Sequence, residues 1–427
     1  MLDRTQAPQF HKITQVRIFK AEKHQLSNHI NLYHIGIGEQ AVVRVEWIFR
    51  KAGKAYSPRL LESAYTAKML MEGTKYRNSH QISTDIDQYG AFLHIESLSD
   101  TMEISLHCPT KFLAELLPLV AEIIFEPSFP EKELLLLKQK TQQELQVSLK
   151  KTQYLAVSEF KKILFGKQHP YGRSNNAEAI ENTSMEEIKD FFHKYIYQKE
   201  FDICMVGKFE DSIFSVFEQY FGNFTIGQRP ETNFASPQKS SQKKFFVEKA
   251  DSLQNSIIVG GFAPHRKSAD YHKYALANTI LGGYFGSRLM QNIREEKGYT
   301  YGIHTHYQEY ENANFMLIST EVKSEYSQAT LQEIYKEIRI LQNEKVGKEE
   351  LERVKNYFIG RFAKSLSEGF AQMDLFKIIH YHDLAYDYYE NLINNIEAIS
   401  AEDILAIFQK YYMLEDFYEV VAGSLKS

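Results

Sequence analysis

The chain has 427 residues, enough for roughly two to four domains that each bury a core. Its hydrophobic share of 43% and charged share of 25% exclude wholesale disorder. Fifty Lys and Arg stand against 55 Asp and Glu, a net charge of −5, so no cation excess drives electrostatic nucleic-acid binding.

Taken in chain order, Met1-Leu2-Asp3-Arg4 lacks a basic-then-apolar signal pattern. That points to the cytoplasm and leaves open a periplasm reached after signal removal. Val43, Val45, Trp47 and Phe49 alternate, which predicts a half-buried strand. Cys108 and Cys204 have no CxxC partner, so both are expected as buried small apolar residues. The most apolar stretch, Phe112 to Phe125, falls short of the ~20 residues of a membrane span and carries Glu115 and Glu122. Ser184 precedes Glu187 by three, a capping box, and Ile188, Phe191, Phe192 and Tyr195 follow at helical spacing. Phe201 to Val206 reads as a short strand ending at Gly207. Residues 226–244 are polar, with two prolines and three serines, and read as a linker whose basic end, Lys239 to Lys244, is solvated chain. Leu281 to Ile293 reads as a helix and Tyr299 to His306 as a strand. This irregular order predicts an α+β fold of mostly antiparallel sheets with helices on one face.

The two sides of the linker repeat each other. Ser184-Met-Glu-Glu-Ile-Lys-Asp-Phe-Phe-His-Lys-Tyr195 matches Ser400-Ala-Glu-Asp-Ile-Leu-Ala-Ile-Phe-Gln-Lys-Tyr411 at an offset of 216. The same offset takes Phe201 to Phe417 and Gly207 to Gly423. At 217, Glu133, Leu134 and Lys138 meet Glu350, Leu351 and Lys355. The expected organisation is therefore a domain over 1–225, a linker over 226–244, and a homologous domain over 245–427, related by a pseudo-twofold.

Several segments together resemble the insulinase/pitrilysin family of zinc peptidases, and more narrowly the half-length subunits of the mitochondrial-processing-peptidase type. They are Lys51-Ala-Gly53, Met69-Leu-Met-Glu-Gly-Thr74, Asp87-Gln-Tyr-Gly-Ala-Phe-Leu93, Phe125-Glu-Pro-Ser-Phe129 and His169-Pro-Tyr-Gly-Arg173. Gly282-Gly283, Ser287-Arg288-Leu289 and Arg294-Glu-Glu-Lys-Gly-Tyr-Thr-Tyr301 follow in the second half. The resemblance implies an inverted zinc motif, H-x-x-E-H, on the helix before Gly73-Thr74, with a distal Glu as third ligand. Counting back places the motif at Ala64, Ala67 and Lys68. Alanine has no lone pair and an ammonium repels Zn²⁺. Only the distal carboxylate survives, as Glu144, and one carboxylate does not hold a catalytic zinc. No cofactor is expected in this chain. Either Lys68 and Glu144 approach each other, the ammonium replacing the metal's charge, or both are solvated surface residues.

The resemblance also implies that Arg294 and Tyr301 bind substrate beside the zinc, the guanidinium and phenol holding the peptide backbone. The plainer alternative pairs Arg294 with Glu295 or Glu296 and places Tyr301 in the core. A lost metal motif beside a kept substrate pair implies a non-catalytic, substrate-binding subunit of a heterodimeric peptidase, whose zinc sits on a sister subunit. The alternative is a structural or peptide-binding homodimer with no peptidase role; a third reading, an active enzyme, would use Glu62, Glu72 or His80 as displaced ligands. His304 and His306 share one side of a strand and are expected in a non-metal role, while His380 and His382 face different sides of a helix. Gly282, Gly283 and Gly286 lack a phosphate-loop pattern and are expected to relax a helix start or chamber edge. Neither nucleic acid nor membrane is an expected partner.

Overall fold

The computed structural model describes residues 12–366 and 368–424. Met1–Arg4 lie outside the described residues. The first sheet has six strands: β1 (Glu22–Gln25), β2 (Asn31–Gly36), β3 (Val42–Arg50), β4 (Phe92–Ser97), β5 (Thr101–Pro109) and β6 (Asp202–Gly207), in the order β1-β2-β6-β3-β5-β4. The second has five: β7 (Lys244–Glu248), β8 (Gln254–Phe262), β9 (Ile303–Glu309), β10 (Asn314–Lys323) and β11 (Tyr418–Gly423), in the order β7-β11-β8-β10-β9. Apart from β1, the orders are the same. In each, one parallel pair (β2 with β6, β7 with β11) sits in an otherwise antiparallel sheet. The fold is α+β and internally duplicated.

The repeated sequence blocks occupy equivalent places. Ser184 and Ser400 both cap helices through reciprocal bonds with the third residue, Glu187 or Asp403, and those helices run Met185–Tyr195 and Ala401–Tyr411. β6 and β11 end in Gly207 and Gly423, both with positive φ, +137° and +154°. A Cβ there would come within 2.3 Å of the Val42 carbonyl oxygen in the first half and 1.9 Å of the Asn255 side chain in the second, so only glycine fits.

Each half lends a helix to the other's sheet. Thr152–Phe165 follows the long helix Glu131–Leu149, and Gly369–Tyr381 follows Lys348–Ser365 at the same offset of 217. Phe160 and Phe165 of the first lent helix pack on Phe315 of β10, and Phe165 also meets Phe262 of β8. The second lent helix lies on the first sheet through rings, Phe376 and His380 on Tyr33 of β2, and through ions: Arg44 Nη2 is 2.7 Å from Asp374 Oδ1, and Lys377 Nζ is 2.8 Å from Glu46 Oε1. The sheets are thus covered on both faces, not one. Trp47 and Phe49 join the first-half core while Ile48 joins the second. That is why the centre of β3 is buried throughout and not in alternation.

Other expectations need correction. Leu281 to Ile293 is not one helix. A helix Tyr271–Gly282 ends there, and a π-helical segment Met290–Glu296 follows the glycine-rich turn. Gly282 and Gly283 therefore close a helix; a Cβ at Gly282 would press within 2.7 Å of Thr305 Cγ2 on β9. The following strand begins at Ile303, so Tyr299 and Tyr301 precede it. Residues 226–244 are anchored, not free: Phe234 packs among the rings of Tyr56, His169 and Tyr171, and Gln238 N donates to the Phe165 carbonyl at 2.9 Å. Lys239 and Lys243 lie over the rings of Phe262 and Tyr418, and Lys244 opens β7. Lys239 and Lys244 stay exposed, as the sequence predicts, with the ring contacts added to their solvation. Cys108 and Cys204 are buried free thiols, the first pushed up to about 12 by burial. Among the described residues, no helix is long and apolar enough to cross a membrane.

Candidate functional site

The helix Glu62–Met69 is fixed by hydroxyl groups. Ser63 Oγ donates to the Ala52 carbonyl at 2.7 Å and lies 2.6 Å from Ser97 Oγ of β4; Ser63 N donates to Ser57 Oγ at 3.0 Å. Ala67, 1% exposed, points into the core. Ala64 and Lys68, four apart and so on one helical face, turn instead to a cavity of about 640 Å³. On the facing helix Glu131–Leu149, Leu134, Thr141 and Leu145 are buried, which sets Thr141 and Glu144 at the cavity wall.

Lys68 Nζ lies 3.8 Å from Glu144 Oε2, with the side chains 45% and 51% exposed. The two residues approach, and they are also solvated. Such a pair contributes about 0–1 kcal/mol, too little to hold the helix in place. The donor set does not suit zinc: a methyl group at 64, a second methyl turned into the core at 67, and an ammonium facing the one carboxylate. Among the described residues, no three His, Cys, Asp or Glu side chains gather where they share a metal. The displaced-ligand reading fails on position as well. Glu62 is buried and accepts from Arg59 N at 2.8 Å, its pKa raised by burial against Arg59; His80 is exposed on the helix Ser79–Asp87. Glu72, its pKa also raised by burial, stands past the end of the 62–69 helix.

The stretch His169–Arg173 is scaffolding. His169 Nδ1 accepts from Tyr171 N at 3.2 Å, and the Tyr171 hydroxyl donates to Asp100 at 2.6 Å. Arg173 donates to the Ser57 carbonyl at 3.0 Å and the Pro58 carbonyl at 3.3 Å, which holds the loop that carries Lys54.

Arg294 and Tyr301 lie in the second half. Arg294 sits on the π-helical segment, a backbone form often found at functional sites. Its guanidinium lies 4.7 Å over the Phe285 ring, and Nη1 is 3.5 Å from Glu295 Oε1. Tyr301 is 93% exposed, so it is not core. Thr300 Oγ1 pins the turn by donating to the Glu321 carbonyl at 2.8 Å. The structure does not bring Arg294 into contact with Tyr301, nor either with the Lys68–Glu144 cavity. His304 and His306 share one side of β9, ring centroids 6.3 Å apart, and His306 borders a second cavity, its pKa lowered by burial and His304. His380 Nε2 is 3.2 Å from Asp202 of β6, whereas His382 Nε2 is 3.5 Å from Glu309 of β9, so the two do face different ways.

Sequence reasoning missed Lys54, Lys151, Lys161 and Arg173 as neighbours of Lys68 in one cavity. They come from separate segments, and no spacing rule connects them.

Fold and site together define a class: an internally duplicated α+β scaffold with Ala64, Lys68 and Glu144 along one cavity of its first half. Residues 182–358 match the family described as "Peptidase M16 inactive domain". That match covers the middle of the chain, and it is similar in kind to the insulinase/pitrilysin resemblance of the sequence. The chain is 20% identical over 313 residues to "Uncharacterized zinc protease YmxG" of Bacillus subtilis, covering 73% of this chain and 76% of that one. It is 22% identical to "Non-peptidase homolog YmxG" of Helicobacter pylori, covering 84% of each. The crystal structure of a peptidase M16 inactive domain from Pseudomonas fluorescens superposes with a TM-score of 0.85 at 21% identity, covering 95% of this chain and 98% of that one.

Proposed function

We propose that this chain is the substrate-holding, non-catalytic subunit of a two-chain zinc peptidase, with the metal on a sister subunit. One observation carries the reading. The positions that the resemblance implies for metal ligands are Ala64, Ala67 and Lys68, while Tyr301 stands 93% exposed near the end of the turn that follows Arg294. A phenol so exposed serves no packing purpose within the chain, and suits a ligand or a second subunit. In this reading Arg294 leaves its exposed pairing with Glu295, which costs about 1 kcal/mol or less, and its fork and the Tyr301 hydroxyl hold the peptide backbone against the partner's metal.

The test is mixing. The chain alone takes up no stoichiometric zinc and cleaves no peptide. Adding a zinc-bearing sister subunit gives peptidase activity, and Arg294→Ala in that complex lowers kcat/KM by about 10²-fold. Normal turnover by that variant complex removes the substrate role. A stable homodimer that captures no zinc-bearing relative favours the scaffold reading.

A further inference from the structure

The cavity where Lys68 meets Glu144 holds more positive charge than that pair accounts for. Lys54, Lys151, Lys161 and Arg173 also line it, so five cations face one carboxylate. Among the described residues none of these four has a carboxylate at ion-pair distance. Lys161 lies 5.7 Å over the Tyr310 ring, and Arg173 gives its Nη donors to carbonyl groups while its buried Nε meets no partner. The Lys54 ammonium is destabilised first by burial and then by Lys161 and Lys68, with Glu96 pulling the other way; the three lysines share one field.

Two more features face the same space. The Tyr65 hydroxyl, on a side chain 1% exposed, lies beside Thr141 and meets no partner in hydrogen-bond geometry. The helix Thr152–Phe165 starts at the cavity wall without a side-chain cap, which leaves its first N–H groups and the positive end of its dipole unanswered. Leu60, Leu61 and Val157 supply an apolar floor. A volume of about 640 Å³ suits a side chain with its backbone more than a single ion. At Lys151 and Gln153 the cavity shares its wall with a second depression of about 1090 Å³ of mixed charge, where Lys323 stands with Glu321 and Glu325 and Lys249 pairs with Asp251 at 2.5 Å, so the cationic excess is confined to the first cavity.

We propose that the cavity is a carboxylate site for acidic peptides: the place of a lost dication has become a seat for an anion. Lys54, Lys68 and Lys161 supply the charge, the Tyr65 hydroxyl a hydrogen bond, and Glu144 keeps the empty site from excessive self-repulsion. The carboxylate comes from a Glu or Asp side chain or from a chain terminus. The inference goes beyond the subunit reading because it needs no second chain.

The test measures fluorescence anisotropy of labelled peptides with the full chain alone. One probe is a glutamate-rich peptide with an amidated end, another a neutral peptide with a free C-terminal carboxylate, and the controls are neutral amidated and lysine-rich peptides. At least one carboxylate probe binds, identifying the source, and binding weakens as salt rises. Lys54→Gln with Lys161→Gln, both on the cavity wall, weakens it about tenfold or more. Glu144→Gln tightens it, an outcome that general damage to the fold would not produce. The proposal is overturned if neutral amidated peptide binds equally well, if a short oligonucleotide binds as tightly as the acidic peptide, or if the charge variants change nothing. Failure of the mixing experiment leaves this result untouched, and the converse holds.

Discussion

The two lent helices do the same job with different chemistry. Thr152–Phe165 grips the second sheet with aromatic rings, Phe160 and Phe165 on Phe315. Gly369–Tyr381 adds to its ring contacts on Tyr33 and His107 a partly buried ionic cluster of Arg44, Glu46, Asp374 and Lys377. The cavities beside the long helices diverge in the same way. The 217-residue offset takes Glu144, at the basic cavity, to Arg361, at a second cavity of about 560 Å³ rich in tyrosine. Duplication has kept backbone positions and released side-chain chemistry. The backbone has one hydrogen-bonding solution per strand order, whereas a buried face accepts any set of groups that satisfies itself.

The comparison breaks first at its cores. Phe165→Ala leaves a void among Phe262, Phe315 and Tyr171 and costs about 3–5 kcal/mol in denaturant unfolding. Lys377→Met leaves Glu46, 6% exposed, with Arg44 at 3.3 Å as its remaining cation, at a cost of about 1.5–3 kcal/mol. The two losses separate with pH. Burial opposes both charges, but Lys377 and Arg44 hold the Asp374 carboxyl below its ordinary value, and Glu46 and Asp374 raise the Lys377 ammonium above its own. The Asp374 contribution is present above the ordinary carboxylate pKa and lost as pH falls through the lowered one. The Lys377 contribution is present below the ordinary amine pKa and lost as pH rises through the raised one. The cost of Lys377→Met therefore shrinks at both extremes while that of Phe165→Ala does not.

A smaller effect sits at the tyrosine-rich cavity. Burial, with Arg266 second, lowers His272 to about 4. The unfolded chain binds that proton more readily, so stability is lost as pH falls from the ordinary histidine value towards 4, on the order of 2 kcal/mol. His272→Gln flattens this part of the stability curve. The smallest effect belongs to the exposed pair: Lys68→Ala changes unfolding free energy by less than about 1 kcal/mol. A larger loss would mean that Lys68 holds the fold, contrary to its 45% exposure.

Much of this was legible in sequence because it is local or repeated. The capping boxes at Ser184 and Ser400 announce their helices, since an orphan N–H needs a side-chain oxygen three residues away. The offset of 216 pairs Gly207 with Gly423, where no side chain fits. That Ala64, Ala67 and Lys68 offer no metal donor is legible too, because coordination depends on the atoms a residue carries. The error in the second half is equally physical. Leu281–Ile293 keeps helical composition across a turn that its glycines impose.

By itself the amino-acid order determined the duplication, the capped helix starts at Ser184 and Ser400, and the side chains that stand at 64, 67 and 68. Only the tertiary structure decided that each half covers the other's sheet, and that Lys54, Lys68, Lys151, Lys161 and Arg173 surround one space. Hydrogen-bond partners and metal donors are properties of near neighbours along the chain. A cavity's charge is a sum over segments that meet only after folding, and no pattern in the sequence carries that sum.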